Sequence, residues 1–334
     1  MLKQLYSTSS DESVKFYSAD ATPDRYFKFY SAGDVQCYIF STESFIVISF
    51  RGSEPFNPGD WIADLTKSLI PLPSSSSDTS HPNHFSPMAK VHEGFYSGLL
   101  GMTDNTTNKK PLWLKISDKI DKMEEGKNKP KQIYVTGHSY GGSLATVFSY
   151  LILEYGCDYI KKNFVGVYSF GAPRCFNLDG AMKYNSLVAR QQLLGDITYR
   201  FIIQDEFAPR FPWSDTDMYY LSTYDNKNQT AFTTMLKFFG VFATAESKSY
   251  CHVGNQLHFV NDGEQYKLQI LLPAKEEEIV KPTEPFKEIP MKLDPENWTP
   301  LRRLLCSAKN RSFIYNHFPD EYERYCKSIR KENK

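Results

Sequence analysis

The motif Gly-x-Ser-x-Gly at residues 137–141 combines residue types and spacing that indicate chemistry. Residues 133–136 before it are a short run typical of a strand, and residues 141–153 after it carry apolar side chains at helical spacing. A serine between glycines in a strand–turn–helix context is the pattern of a nucleophile elbow. Such a turn would project the Oγ of Ser139 into open space at the start of the helix. There the helix dipole favours the negative charge of an acyl-transfer transition state, so we predict that Ser139 is a catalytic nucleophile.

Acyl transfer also requires a base that takes the serine proton, an acid that orients the base, and donors for the oxyanion. In folds that use this elbow, the acid and then the base follow the serine along the chain. Asp205 and Glu206 both follow a predicted strand at residues 197–204, and adjacent strand residues point in opposite directions. The histidines after them are His252, His258 and His317. These patterns alone leave the acid and the base open.

Strands and helices alternate along the rest of the chain. A predicted hairpin joins two strands at residues 35–40 and 44–50, and a predicted helix at residues 112–125 precedes the elbow strand. Further strands are predicted at residues 163–171, 197–204, 257–260 and 266–272. This alternation predicts an α/β fold with a largely parallel sheet.

The composition is that of a folded chain without a dominant charge. Of the 334 residues, 41% are apolar and 15% are aromatic, which is enough for a sizeable core. The 39 basic and 39 acidic residues balance, so a nucleic-acid partner is not indicated. The six cysteines lack Cys-x-x-Cys spacing, so no metal site is indicated. We also expect no cofactor.

The N-terminal residues predict a location for the protein. They lack the apolar region of a signal peptide, and no apolar run in the chain approaches the roughly 18 residues of a spanning helix. We therefore expect a cytoplasmic protein with free thiols and no transmembrane segment.

Changes in composition divide the chain into four predicted segments. Residues 1–33 are expected to be an N-terminal cover packed against the body, and residues 34–272 the α/β core. Residues 273–300 contain six prolines and few aliphatic side chains, as expected of a linker or a crossing segment. Residues 301–334 predict a helical C-terminal tail.

Several short motifs together resemble a known family. They are Phe50-Arg51-Gly52-Ser53, residues 60–65, Val91-His92-Glu93-Gly94-Phe95, residues 135–142, Gly171-Ala172-Pro173-Arg174 and Pro209-Arg210-Phe211-Pro212, in this order. The ordered set resembles the class 3 lipase family, whose best-known members are the fungal secreted triacylglycerol lipases. The resemblance covers residues 34–260, and a weaker similarity is found near residue 317. It implies an α/β-hydrolase fold with a mostly parallel central sheet flanked by helices, a lid segment, no metal, and a Ser-His-acid triad that hydrolyses acyl esters.

The resemblance suggests which carboxylate is the acid. In the family it is an aspartate three residues before the proline that is Pro209 here, and Glu206 occupies that position. We therefore prefer Glu206 and keep Asp205 as the alternative acid, since hydrolases of this fold use either carboxylate.

The resemblance also suggests the base. The family's base lies near the C-terminus and is followed at short distance by an aromatic residue, which favours His317, with Tyr322 five residues later. If His317 is the base, residues 273–300 must bring the tail back over the sheet. His252 is the alternative base, although the family's histidine in that segment lies near the site without acting as the base.

The resemblance implies two oxyanion donors. One is the backbone N–H of Tyr140, and the other is Ser53, which would donate through both its backbone N–H and its hydroxyl. Ser53 also fits the N-cap of a helix. The resemblance and the surrounding motifs favour structural roles for His92 and His138.

Residues 54–68 fall where the family carries a lid. The apolar side chains of Trp61, Ile62 and Leu65 would meet lipid when the lid is open or cover Ser139 when it is closed. An ordinary surface helix packed on the core would show the same pattern.

The expected function is that of a serine ester hydrolase of lipase type, with an acylglycerol or related lipid ester as substrate and transient contact with a lipid interface. Two alternatives remain. One is an esterase with other substrates, such as a phospholipase, a galactolipase or a soluble carboxylesterase. The other is a lipase-like binding or signalling module that keeps the fold with an incomplete triad.

Overall fold

The computed structural model describes residues 26–32, 35–52, 68–72, 88–100, 110–126, 129–190, 197–204, 206, 208–212, 250–261, 266–271 and 317–332. The strands are β1 (Tyr26–Ala32), β2 (Val35–Ser41), β3 (Phe45–Phe50), β4 (Leu69–Pro71), β5 (Lys90–His92), β6 (Gln132–His138), β7 (Phe164–Phe170), β8 (Phe176–Asn177), β9 (Thr198–Ile203), β10 (Tyr250–Cys251), β11 (Asn255–Asn261) and β12 (Tyr266–Leu271). The helices are α1 (Glu93–Leu100), α2 (Leu112–Glu124), α3 (Tyr140–Tyr155), α4 (Asp158–Asn163), α5 (Leu178–Arg190) and α6 (Pro319–Glu332), with a 3-10 turn at Ala208–Arg210.

The main sheet has eight strands in the order β1-β2-β3-β6-β7-β9-β11-β12. Its central strands, from β3 to β11, are parallel to one another, whereas β1, β2 and β12 are antiparallel to their neighbours. The prediction of an α/β fold with a mostly parallel sheet is confirmed. Because parallel strands end at the same edge, the segments that follow β3, β6, β7 and β9 lie close together.

Helix α3 forms the core on one face of the sheet. Its residues from Tyr140 to Leu153 are all buried. It packs on β6 and β7, whose side chains Ile133, Val135 and Val167 are fully buried in the same cluster. Because strand side chains alternate between faces, His138 lies on the face opposite α3.

The C-terminal helix α6 packs on that opposite face. Its Tyr322 and Tyr325 are buried and cluster with Ile203 and Phe259, near the ends of β9 and β11. The ring centroids of Tyr322 and His138 lie 5.8 Å apart. The tail thus returns to the sheet edge at which the elbow lies. Within the described part of the chain, neither α6 nor any other helix is long and apolar enough to cross a membrane.

A second, smaller sheet was not predicted. It has four antiparallel strands in the order β10-β8-β5-β4. Its strands have two or three residues each, which is too short for an alternating pattern to be visible in the sequence.

The main sheet begins earlier in the chain than we predicted. Strand β1 lies within the stretch 1–33 that we interpreted as a cover, and it pairs with β2 from Tyr26 opposite Ser41 to Ala32 opposite Val35. Residues 26–32 therefore form a strand of the main sheet, while the cover stays a prediction for the rest of the stretch. The aromatic residues of this stretch do not alternate regularly with polar ones, and the strand period was hidden for that reason.

Several predicted segments lie outside the described residues. They are residues 1–25 of the cover, residues 54–67 of the lid with Trp61, Ile62 and Leu65, the linker at 273–300 and the first part of the tail at 301–316. The division of the chain into four segments therefore stays a prediction.

Candidate active site

Ser139 lies in a tight turn between β6 and α3. Its φ of 56° and ψ of −127° are a strained conformation for a residue other than glycine. A Cβ on Gly137 would lie 2.1 Å from the carbonyl oxygen of Gly141, so the turn requires a glycine there. The N–H of Ser139 donates to the carbonyl oxygen of Phe170 at 2.8 Å. This is the strand–turn–helix geometry of a nucleophile elbow.

The turn places Ser139 beside the segment that follows β3. A Cβ on Gly52 would lie 3.5 Å from the Cβ of Ser139. Tyr140 begins α3, and the first N–H groups of a helix point away from its body towards its N-terminal end. Ser53 lies outside the described residues, so its part in an oxyanion site stays a prediction.

His317 and Glu206 are joined by a hydrogen bond at the same edge of the sheet. The Nδ1–H of His317 donates to Glu206 Oε2 at 2.7 Å, although 111 residues separate the two along the chain. Both are buried, with exposures of 5% and 1%. A Cβ on Gly171 would lie 2.7 Å from Glu206 Oε2 and 2.8 Å from His317 Nδ1. Because Gly171 follows Phe170, which accepts the Ser139 N–H, the pair lies next to the elbow.

The other oxygen of the Glu206 carboxylate is held as well. Glu206 Oε1 accepts the backbone N–H of Ile203 at 2.8 Å and the hydroxyl of Tyr322. Burial is the main cause that raises the pKa of Tyr322 well above the ordinary tyrosine value, and the charge of Glu206 raises it further. The hydroxyl therefore keeps its proton. With both oxygens bonded, the carboxylate has a fixed orientation towards His317.

The protonation of His317 follows from its surroundings. Burial lowers the pKa of His317 below the ordinary histidine range, so the ring is neutral at pH 7. Since Nδ1 carries the proton that is donated to Glu206, the lone pair is on Nε2. A buried neutral imidazole of this tautomer can take a proton on Nε2, and the carboxylate then stabilises the positive charge.

His138 holds the backbone of His317. Its Nε2 lies 2.7 Å from the carbonyl oxygen of His317, and because a carbonyl only accepts, Nε2 carries the proton. The two imidazole rings are 4.6 Å apart. Burial is the main cause that lowers the pKa of His138 to about 3, and the charge that His317 can carry also lowers it. His138 is therefore a neutral donor that ties the tail to the end of β6.

Comparison with known proteins identifies the family. The model of the lipase (class 3) family matches residues 47–216, just over half of the chain. The chain belongs to the class 3 lipase family. The resemblance drawn from the ordered motifs is thereby confirmed.

The relatives of this chain include a triacylglycerol lipase of Arabidopsis thaliana, 28% identical over 213 residues that cover 55% of this chain and 38% of that protein. A chloroplastic phospholipase A1 of Arabidopsis thaliana is 34% identical over 141 residues, covering 40% of this chain and 27% of that protein. A lipase from Rhizopus microsporus var. chinensis has a similar structure, with 18% identity, a TM-score of 0.47, and coverage of 75% of this chain and 66% of that chain. The chain spans less than half the length of these Arabidopsis relatives.

The alternative base and acid of the prediction are His252 and Asp205. His252 is half-buried, and its Nε2 lies 2.7 Å from the carbonyl oxygen of Pro209. Burial, followed by the charges of Arg200 and Arg174, lowers the pKa of His252 well below the ordinary value. The histidine that contacts the Glu206 carboxylate is His317. Asp205 lies outside the described residues.

Two residues of the candidate site, Tyr322 and Gly171, were not predicted from the sequence. Tyr322 was noted only as an aromatic residue after the base, and Gly171 only as part of a motif. Their contacts with Glu206 join segments far apart in the chain, so no local pattern indicates them. The sequence signal for Tyr322 was its spacing of five residues from His317. This spacing places both residues near the start of α6.

Proposed function

We propose that the chain is a serine ester hydrolase of lipase type that acts on acylglycerols or related lipid esters. The observation that carries this proposal is the hydrogen bond between His317 and Glu206 beside the strained Ser139. Membership of the class 3 lipase family supports it, as do the triacylglycerol lipase and phospholipase among the relatives.

In the first half of the proposed reaction, His317 Nε2 takes the proton of Ser139 as Oγ attacks the ester carbonyl carbon. Glu206 orients the imidazole and stabilises the imidazolium. The backbone N–H of Tyr140 and the donors of Ser53 stabilise the oxyanion of the tetrahedral intermediate. The intermediate collapses, the imidazolium returns the proton to the leaving alkoxide, and the alcohol leaves an acyl-enzyme.

In the second half, water replaces the alcohol. His317 takes a proton from a water molecule that attacks the acyl carbonyl, and a second tetrahedral intermediate forms at the same oxyanion site. Its collapse releases the fatty acid, and the imidazolium gives the proton back to Ser139. The enzyme returns to its starting state, with one ester bond hydrolysed by one water.

The non-catalytic alternative is less well supported. A lipase-like binding module would need an incomplete triad, whereas the described residues include a serine, a histidine and a carboxylate gathered at one edge of the sheet. The fixed Glu206 carboxylate and the neutral His317 ring are the arrangement that nucleophilic catalysis requires.

The experiment combines turnover with labelling of the nucleophile. Fatty acid release is measured from a triacylglycerol emulsion and from phosphatidylcholine vesicles, and p-nitrophenyl esters from acetyl to palmitoyl give the chain-length profile. We expect turnover, and a fluorophosphonate adduct on the peptide that contains Ser139. The preferred substrate separates triacylglycerol lipase, phospholipase and soluble carboxylesterase. The absence of both turnover and adduct would contradict the proposal and favour the binding module.

Gly171→Ala is expected to lower kcat by about 10- to 100-fold with a smaller change in KM, since misplacement of catalytic groups costs this much. The added methyl group would meet Glu206 and His317 within 2.8 Å, and φ at this position is +58°. Steady-state kinetics and thermal unfolding of the same preparations provide the measurement.

Gly126→Ala is the matched control for Gly171→Ala. Its φ of +73° imposes the same type of backbone strain, but no atom lies within 4 Å of the added Cβ. We expect full activity from Gly126→Ala. A folded Gly171→Ala variant with the kcat of the wild type would show that His317 and Glu206 do not act as a pair in catalysis.

A further inference from the structure

Gln204 has a positive φ, which is uncommon for a residue other than glycine. Among the described residues, Ser139 and Gln204 are the non-glycine residues with positive φ, at 56° and 45°. Ser139 is strained because it forms the elbow. Gln204 directly follows β9 and lies two residues before Glu206. Backbone strain of this kind persists only where the surrounding contacts hold it.

Three contacts hold Gln204 in this conformation. Its N–H donates to the carbonyl oxygen of Phe259 at 2.8 Å, and its carbonyl oxygen accepts the Nε2–H of His258 at 2.8 Å. Its side-chain amide donates to the hydroxyl of Tyr325 at 2.7 Å. The first two contacts come from β11, and the third comes from α6.

Tyr325 is a rigid partner for this amide. It is fully buried, and its ring lies 5.5 Å from the ring of Phe259. Tyr322, which donates to Glu206, is three residues earlier on the same face of α6. Helix α6 therefore contacts the turn before the 3-10 segment twice, once at Gln204 and once at Glu206.

We propose that Gln204 and Tyr325 are positioning residues that fix the turn carrying Glu206 and so set the orientation of its carboxylate towards His317. This inference rests on the proposed function. Glu206 has one more methylene than an aspartate, and its carboxylate depends on a fixed backbone to reach Ile203 N–H, Tyr322 and His317 together. The Gln204–Tyr325 contact supplies that fixed point from the helix that also carries Tyr322.

The test uses Gln204→Gly and Tyr325→Phe, alone and combined. Glycine adopts the positive φ without strain, so Gln204→Gly removes the amide contact while keeping the turn. We expect kcat to fall about 3- to 10-fold in each variant with KM unchanged, because a small displacement of a catalytic group lowers the rate. Since the two side chains form one contact, the double variant should be no slower than the slower single variant.

Tyr134→Phe is the matched control. The Tyr134 hydroxyl also bonds a glutamine, Gln132 Oε1 at 2.9 Å, but at the opposite end of β6 from the elbow. We expect it to leave kcat unchanged. If Gln204→Gly and Tyr325→Phe keep the kcat of the wild type, or lose activity only in proportion to lost folded protein, the inference is overturned.

A readout independent of turnover separates this inference from the proposed function. The proton on His317 Nδ1, which is bonded to Glu206, is followed by ¹H NMR at pH 7 in the wild type and in each variant. A displaced carboxylate accepts a longer hydrogen bond, so the chemical shift of this proton should move upfield in Gln204→Gly and Tyr325→Phe and stay constant in Tyr134→Phe. Constant values in all three would overturn the positioning role, even in a protein that hydrolyses no ester.

Discussion

Replacing either Ser139 or His317 with alanine is expected to lower kcat for ester hydrolysis by about 10⁴- to 10⁶-fold. Without Ser139 no acyl-enzyme forms, and without His317 the serine keeps its proton at neutral pH. Because the two residues act as one unit, the double variant should be no slower than the slower single variant. The measurement is kcat with the ester that the wild type hydrolyses fastest.

Two controls match these substitutions by residue type. The hydroxyl of Ser149 is buried in α3 and bonds the Ala145 carbonyl oxygen of its own helix, so Ser149→Ala removes a serine without touching the site. His252→Ala tests the alternative base, whose Nε2 is bonded to Pro209. Both should keep kcat of the same order as the wild type. An inactive His252→Ala together with an active His317→Ala would assign the base to His252.

The elbow was predictable because its geometry is local. A short apolar strand, glycines at 137 and 141, and an apolar helix all lie within about 20 consecutive residues, as expected for a strand–turn–helix motif. A Cβ on Gly137 would meet the backbone of Gly141, and a Cβ on Gly141 would meet the backbone of Phe50 and Arg51, which explains why both positions carry glycine. The parallel centre of the sheet was predictable because the helical patterns at residues 112–125 and 141–153 lie between predicted strands.

The contact between His317 and Glu206 could not be derived from a local pattern. The contact forms only because the chain near α6 lies against the sheet. The composition of the residues before α6 does not predict that position. The resemblance to the family supplied His317 in place of a physical argument. The Gln204–Tyr325 contact has no counterpart in the motifs, because it joins two residues that are 121 positions apart in the chain.

The choice between Asp205 and Glu206 shows where strand alternation stops being useful. Alternation predicts that neighbouring residues point in opposite directions while the chain is extended. The positive φ at Gln204 turns the chain before either carboxylate is reached. The direction of a side chain in β9 therefore says nothing about the direction of Glu206, and the sequence alone left the two residues open.

Glu206→Gln is expected to lower kcat by about 10³- to 10⁴-fold, because replacing the acid of a triad by its amide favours the wrong histidine tautomer. The glutamine NH₂ group would face His317 Nδ1, which would then hold the lone pair, and the proton would move to Nε2. A histidine with a proton on Nε2 cannot take the proton of Ser139. The measurement is kcat at pH 7, with circular dichroism to show that the fold is intact.

Asp205→Asn makes the same chemical change at the neighbouring residue, and we expect its kcat to stay close to that of the wild type. The difference between the two variants isolates the carboxylate that supports His317, because charge loss and side-chain shape are matched. If Asp205→Asn is the slow variant and Glu206→Gln is active, the acid is Asp205, and the hydrogen bond between Glu206 and His317 is structural. If Glu206→Gln alone is slow, the acid is Glu206, whose carboxylate is held by the bonds from Ile203 and Tyr322.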